Sequence, residues 1–223
     1  MSRTNSSLIL ASRSPRRRQL LASLGVDFDV HTADIDESQR PGESPDSLVQ
    51  RLAREKVKAV AAQRPNCIVL GADTVVVLDG QVLGKPVDAA DATAMLRGLL
   101  GRDHQVLSAV YACDETHGLA AGALSETLVT MRAYEDAEIA AYVASGDPID
   151  KAGAYAIQHR EFAPAAAIDG CFSGVMGFPL ADVAAVLRAV GVAVDGEIVA
   201  ACEPFSGRCC ASRKIEAPAT FGK

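Results

Sequence analysis

The chain has 223 residues, 49% of them hydrophobic, 22% charged and only 4% aromatic, with no tryptophan. That length and apolar content suffice for one substantial core, while a formal net charge of −6 excludes the extended basic footprint of a general nucleic-acid or acidic-membrane binder, so any positive site must be local. No run approaches the roughly 18 apolar residues of a membrane span and no secretory signal opens the chain, so a cytoplasmic protein with no nucleic-acid and no membrane partner is expected. Leu8 to Ala11 reads as a buried strand leading into a helix over 15–24, which Gly25 stops by suiting the left-handed position after a helix end. Ser14 is a suitable N-cap and Pro15 suits the first helical position, so the free N–H groups of the first turn face the preceding loop, where Ser12 also lies. Arg16, Arg17 and Arg18 stand at this dipole-positive end at a cost of roughly a few tenths of a kcal/mol per exposed charge. A bound anion offsets that cost. A solvated basic turn would explain one arginine better than three.

Val26 to Thr32 alternates weakly as a second strand, and a polar loop carrying Asp34, Asp36 and Glu37 runs on to Pro45. A helix then starts at Asp46 as N-cap, with Leu48, Val49, Leu52, Ala53, Val57 and Val60 at helical spacing. Lys56 falls near that stripe, and helix geometry alone suits a snorkelling lysine as well as an inward phosphate ligand. Residues 67–70 form a buried strand that reaches Gly71-Ala72-Asp73-Thr74 before 75–78 continues; Asp79-Gly80 is a tight hairpin turn returning 81–83 toward Lys85. A helix over about 89–100, β segments over roughly 104–113 and 119–132, and helices over about 135–144 and 180–190 follow, each helix closed by a nearby glycine. The two long β segments break strict βα alternation. The pattern therefore predicts an α/β fold with a mixed twisted sheet and flanking helices, one domain over 1–200 and a mobile tail over 201–223.

Six cysteines, at 67, 113, 171, 202, 209 and 210, include no C-x-x-C pair and no metal-finger spacing with the four histidines, so free thiols are expected. Asp73 is the strongest catalytic candidate, because a carboxylate at the end of four apolar residues needs a cation or a metal beside it. A turn-capping or arginine-paired aspartate suits that residue equally well when it is taken alone. Thr74 can position a substrate edge or a water, and the hairpin should return Lys85 to Asp73. Gly80 to Pro86 fails as a Walker A loop, being one residue short and lacking the hydroxyl that reaches the metal. The loop acids, with Asp73, offer hard oxygens for Mg²⁺ or Mn²⁺ against substrate phosphates, although any one of them alone reads as a solvated acid. Arg16, Arg17, Lys56 and Lys85 set among carboxylates have the composition of metal-assisted phosphoanhydride chemistry.

The blocks Leu10-Ala11-Ser12-x-Ser14-Pro15-Arg16-Arg17, Leu52-Ala53-Arg54-Glu55-Lys56, Gly71-Ala72-Asp73-Thr74, Gly84-Lys85-Pro86 and Asp150-Lys151-Ala152-Gly153-Ala154-Tyr155-x-Ile157-Gln158 resemble the ordered motifs of the Maf family. The resemblance spans about residues 8–190. It implies two lobes around a deep cleft, relatives that are often homodimers, and a nucleoside triphosphate pyrophosphatase that uses a divalent cation (Mg²⁺, Mn²⁺ or Co²⁺). By motif position it implies that Asp73 is the proton acceptor, that Ser12, Arg16, Glu37, Lys56 and Lys85 hold metal or phosphates, and that Arg16, Thr74 and Gln158 select the base. Ser14 and Arg17 complete the expected substrate-binding set. Within the family the chain resembles the branch acting on dTTP, UTP and modified pyrimidine nucleotides. The family is also linked with inhibition of septum formation, so a division regulator acting through a partner is the second expectation. After Gln158 the family's glycine-rich turn is replaced by a longer segment, 159–167, which bears on base preference.

Overall fold

A single mixed sheet organises the computed structural model, which describes residues 7–206. Its strands are β1 (Leu8–Leu10), β2 (Asp29–Val30), β3 (Ile68–Leu78), β4 (Gln81–Leu83), β5 (Asp103–Asp114), β6 (Leu119–Met131) and β7 (Ala165–Asp169). Their order is β2-β1-β3-β5-β6-β7, with β4 also on β3. Pairings β2-β1 and β1-β3 are parallel and the others antiparallel. Around the sheet lie α1 (Pro15–Ala22), α2 (Pro45–Ala61), α3 (Ala89–Leu99), α4 (Asp136–Ala144), α5 (Phe172–Val175), α6 (Leu180–Ala189) and α7 (Ile198–Ser206). Among the described residues no helix is long and apolar enough to cross a membrane.

Strand alternation divides the core between the two faces of the sheet. Leu8, Leu10, Leu70, Ala72 and Val76 join Leu20 and Leu21 of α1, Leu96 and Leu99 of α3, and Leu180 and Leu187 of α6 in the larger core. On the other face Ile9, Ala11 and Val69 meet Val57 and Val60 of α2, and Val75 and Val77 meet Leu48 and Leu52. Because β3 is covered on both faces, its sequence reads as an almost unbroken apolar run.

The edge of β3 that faces β1 and β4 is only partly paired. β1 covers Ile68 to Leu70 and β4 covers Val76 to Leu78, so among the described residues no strand lies beside 71–75 on that side. β4 returns through a turn in which Asp79 (φ 51°) and Gly80 (φ 76°) are both left-handed, the geometry of a type I′ hairpin.

Several boundaries depart from the expectation. The segments 67–70 and 75–78 are one strand, because Gly71 to Thr74 stay extended and pair with Tyr111 to Ser108 of β5. The second strand shrinks to two exposed residues on the sheet edge. Ser44, not Asp46, occupies the N-cap position of α2, and Pro45 takes the first helical position. That moves Asp46 into the first turn, where its charge complements the dipole. The helix α7 crosses the expected tail boundary: Ala201 and Cys202 are buried in the larger core, because Ile198, Ala201 and Cys202 fall at helical spacing on one stripe. The rest of that tail, with Cys209 and Cys210, lies outside the described residues. Cys67 and Cys113 are free thiols.

Gly71 sets how closely α2 approaches β3. A Cβ there would lie 2.7 Å from Val57 Cγ2, and a β-branched residue on a helix has little rotamer freedom with which to retreat. Gly71→Ala is therefore expected to cost about 1–3 kcal/mol through forced displacement of α2, read as a lower urea midpoint at unchanged m-value.

Candidate functional site

The ten residues that the resemblance gives a catalytic, substrate-binding or metal-holding role line one cleft of about 620 Å³. It opens at the unpaired stretch of β3, and this explains how adjacent residues reach it from opposite sides. Asp73 points to the α2 face with Val75, whereas Thr74 points to the larger-core face with Ala72 and Val76. With no strand alongside, both side chains meet the same space.

On the α2 side the focus is Lys56. It follows Leu52 by four residues and Ala53 by three, so it belongs to the buried stripe facing β3. Its ammonium turns inward: Nζ lies 2.5 Å from Asp73 Oδ1 and 2.9 Å from Glu37 Oε1. Burial alone would raise the Glu37 carboxyl, but the hydrogen bond from Lys56 and the charges of Lys56, Lys85 and Arg17 outweigh it and hold the group below its ordinary value. Asp73, 8% exposed, thus has the cation that its burial demands.

The loop carrying Glu37 is stapled to α2 by Arg51. That side chain donates to Glu43 (2.6 and 2.8 Å), Glu55 (3.0 Å) and the Ser38 carbonyl (2.9 Å). The other two loop acids are drawn elsewhere: Asp34 pairs with Arg13, and Asp36 accepts the Ser38 N–H at 2.9 Å.

At the start of α1, Ser14 Oγ accepts the Arg17 N–H at 3.4 Å and Ser12 Oγ accepts the Ser14 N–H at 3.2 Å. Each hydroxyl keeps its own proton to donate into the cleft. Arg16 lies 3.8 Å from Asp150, and Arg18 is exposed outside the lining. Arg17 lines the cleft, but its guanidinium is occupied by the protein. It donates to Gly177 O (2.9 Å), Ala72 O (2.7 Å) and Thr74 Oγ1 (3.3 Å). A relay continues from Thr74 to Ser108 Oγ (2.8 Å) and from Ser108 to Gly174 O (2.7 Å). Arg17 thus joins α1, β3 and the loop before α6.

Gln158 enters from the segment after α4. Lys151, 8% exposed, anchors that segment through Asp147 (3.0 Å) and Asp150 (2.6 Å). Tyr142 Oη donates to Asp147 (2.7 Å) and accepts the Ala156 N–H (2.9 Å). Sequence reasoning assigned none of these a role. The four-residue spacing of Asp147 and Lys151 was a readable signal, whereas nothing local marked Tyr142.

Glu37 and Asp73, expected to hold a metal, converge on one ammonium, and two carboxylates arranged so suit a hard divalent cation equally well. Among the described residues no group of three or more His, Cys, Asp or Glu side chains forms a cage. Two protein carboxylates completed by substrate oxygens and water match how Mg²⁺ is ordinarily held.

A mixed-sheet α/β protein with helix N-terminus, lysines and carboxylates facing one cleft is the class that fold and site define. Within it, the chain belongs to the Maf family, matching the Maf-like protein family over residues 7–190. It is 50% identical over 194 residues to a dTTP/UTP pyrophosphatase of Anaeromyxobacter dehalogenans (strain 2CP-1 / ATCC BAA-258), covering 85% of this chain and 97% of the relative. Identity to the dTTP/UTP pyrophosphatase of Geobacter sulfurreducens is 48% over 82% of this chain and 96% of the relative. For that of Xanthomonas euvesicatoria pv. vesicatoria the figures are 50%, 82% and 98%.

Lysine cannot reproduce the planar three-acceptor fork of Arg17, so Arg17→Lys should destabilise the fold by about 1–3 kcal/mol, measured by chemical denaturation. The Arg51 staple has a pH signature. Hydrogen bonds from Arg51 hold the Glu43 carboxyl down to about 2 from an ordinary 4.5, so its contribution is complete above about 4.5 and is lost as pH falls toward 2. Glu43→Gln should accordingly lower Tm at pH 7, and its melts should converge with those of the parent as pH drops through that window.

Proposed function

We propose that the protein hydrolyses nucleoside triphosphates to the monophosphate and pyrophosphate, favouring dTTP, UTP and modified pyrimidine nucleotides, and so removes noncanonical nucleotides before nucleic-acid synthesis. One observation carries this reading: at the open edge of β3 the Asp73–Lys56–Glu37 cluster and the cationic start of α1 face a common cleft. The activity named for relatives that align over nearly their whole length supports it.

In this reading the attacking water is oriented by Asp73, which accepts its proton as the water oxygen bonds to the α-phosphorus and the bond to the departing pyrophosphate breaks. Lys56, through its bond to Oδ1, keeps the Asp73 carboxylate correctly turned. Charge developing on the leaving group falls to Lys85, Arg16, the hydroxyls of Ser12 and Ser14 and the N-terminal amides of α1. Glu37 with Asp73 would hold Mg²⁺ or Mn²⁺, which when bound neutralises phosphate charge. On the other face Thr74 and Gln158 meet the base, the Gln158 amide offering a donor and an acceptor to the carbonyl and N–H edge of a pyrimidine.

Purified protein incubated with dTTP, UTP, CTP, GTP and ITP plus Mg²⁺ or Mn²⁺ should release monophosphate and pyrophosphate, fastest from dTTP and UTP, and chelation should stop it. Asp73→Asn keeps the shape but not the base and should lower kcat by about 10²–10⁴-fold. Release of orthophosphate instead of pyrophosphate, or full activity in Asp73→Asn, would sink the assignment.

A further inference from the structure

One buried polar contact takes no part in the chemistry above. His104, at the start of β5, is 2% exposed, and its Nε2 lies 2.7 Å from Tyr155 Oη. The rings meet edge to face, with centroids 5.4 Å apart and planes at 80°. Nδ1 is buried too and has no hydrogen-bond partner among the described residues, so one polar contact alone offsets the desolvation of the imidazole. Burial pushes the ring down to about 4, which leaves it neutral at pH 7. As core filler such a residue is inferior to a phenylalanine, which would fill the space without an orphaned nitrogen.

What His104 holds is the root of the segment that delivers Gln158. Gly153 (φ 68°) and Ala154 (φ 59°) are successive left-handed residues, and an alanine keeps that conformation only where its surroundings impose it. Three contacts do so. Gly153 N–H donates to Gly84 O at 3.0 Å, Ala156 N–H donates to Tyr142 Oη at 2.9 Å, and Tyr155 Oη meets His104. The last ties the segment to β5 in the central sheet. Tyr155 lines the cleft and His104 does not.

We propose that His104 is a positioning residue for base discrimination: by fixing Tyr155 it fixes where Gln158, three residues on, presents its amide to the nucleobase. This rests on Gln158 as the base-reading side chain. The Asp73–Lys56–Glu37 cluster, on the α2 face of β3, is outside its reach.

Steady-state kinetics on dTTP and GTP test it with His104→Phe, Tyr155→Phe, their combination, His104→Gln and Gln158→Ala, after a thermal melt confirms folding. Either single loss of the contact should lower the dTTP-over-GTP ratio of kcat/KM by about tenfold, mainly through KM for dTTP, with kcat changed by less than about twofold. The double variant should be no worse than either single one, because both remove the same bond. His104→Gln, whose amide can reach Tyr155 Oη, should recover part of the ratio. A fall in kcat that is equal for both nucleotides, or a lower Tm with the ratio unmoved, overturns the proposal. If His104→Phe does not fold, Tyr155→Phe decides the matter alone, since it removes a single oxygen. A ratio moved by Gln158→Ala but by neither member of the pair overturns the role of His104 and spares that of Gln158; a ratio unmoved by all of them removes both.

Discussion

An unpaired strand edge in the middle of a protein has to satisfy its backbone polar groups somewhere. Here β3 loses β1 after Leu70 and gains β4 only at Val76, and Arg17 takes the Ala72 carbonyl that a neighbouring strand would have used. That single substitution of a guanidinium for a strand keeps the gap open without collapse, and the cleft exists because of it. The same side chain reaches Thr74 and Gly177, so the walls of the gap are fixed by the group that holds it open.

The charges sit in the gap for a second reason. A buried ion pair adds little to stability, since desolvating both partners offsets most of their attraction. Lys56 and Asp73 are therefore better understood through what they do to the cleft than through what they do for the fold. One lysine from the apolar stripe of α2 supplies the cation that lets a carboxylate sit within a core strand. Arg51, one and a half turns earlier, locks the loop that adds Glu37. Precision at the site thus comes from a helix, a strand and a stapled loop.

Much of this was legible from local signals. The Ser-x-Ser-Pro helix start, the Asp79-Gly80 hairpin and the glycine stops after α1, α3, α4 and α6 each rest on the chemistry of one or two residues, and the mixed sheet followed from two long adjacent β segments. What stayed hidden depends on distant partners. Helix periodicity put Lys56 near the buried stripe but could not choose between a surface turn and Asp73. Arg17 and Arg16 are neighbours of identical type, yet only the acceptors on β3 and Gly177 draw one of them inward. The strand β7 and the short helix α5 have no periodicity to read, and they are placed by contacts such as Cys171 N–H to Thr127 Oγ1 at 2.9 Å. The backbone at Gly170 passes so close to Thr127 that a Cβ would lie 2.7 Å from Oγ1.

The alternation of Asp73 and Thr74 across the sheet binds the two halves of the cleft to one reading frame. Inserting or deleting a single residue between 71 and 74 would turn the carboxylate toward the larger core and the hydroxyl toward Lys56, and Val75 to Val77 would change faces with them. The site thus depends on strand register at this point, and length changes in its descent should be confined to segments outside the sheet such as 159–164.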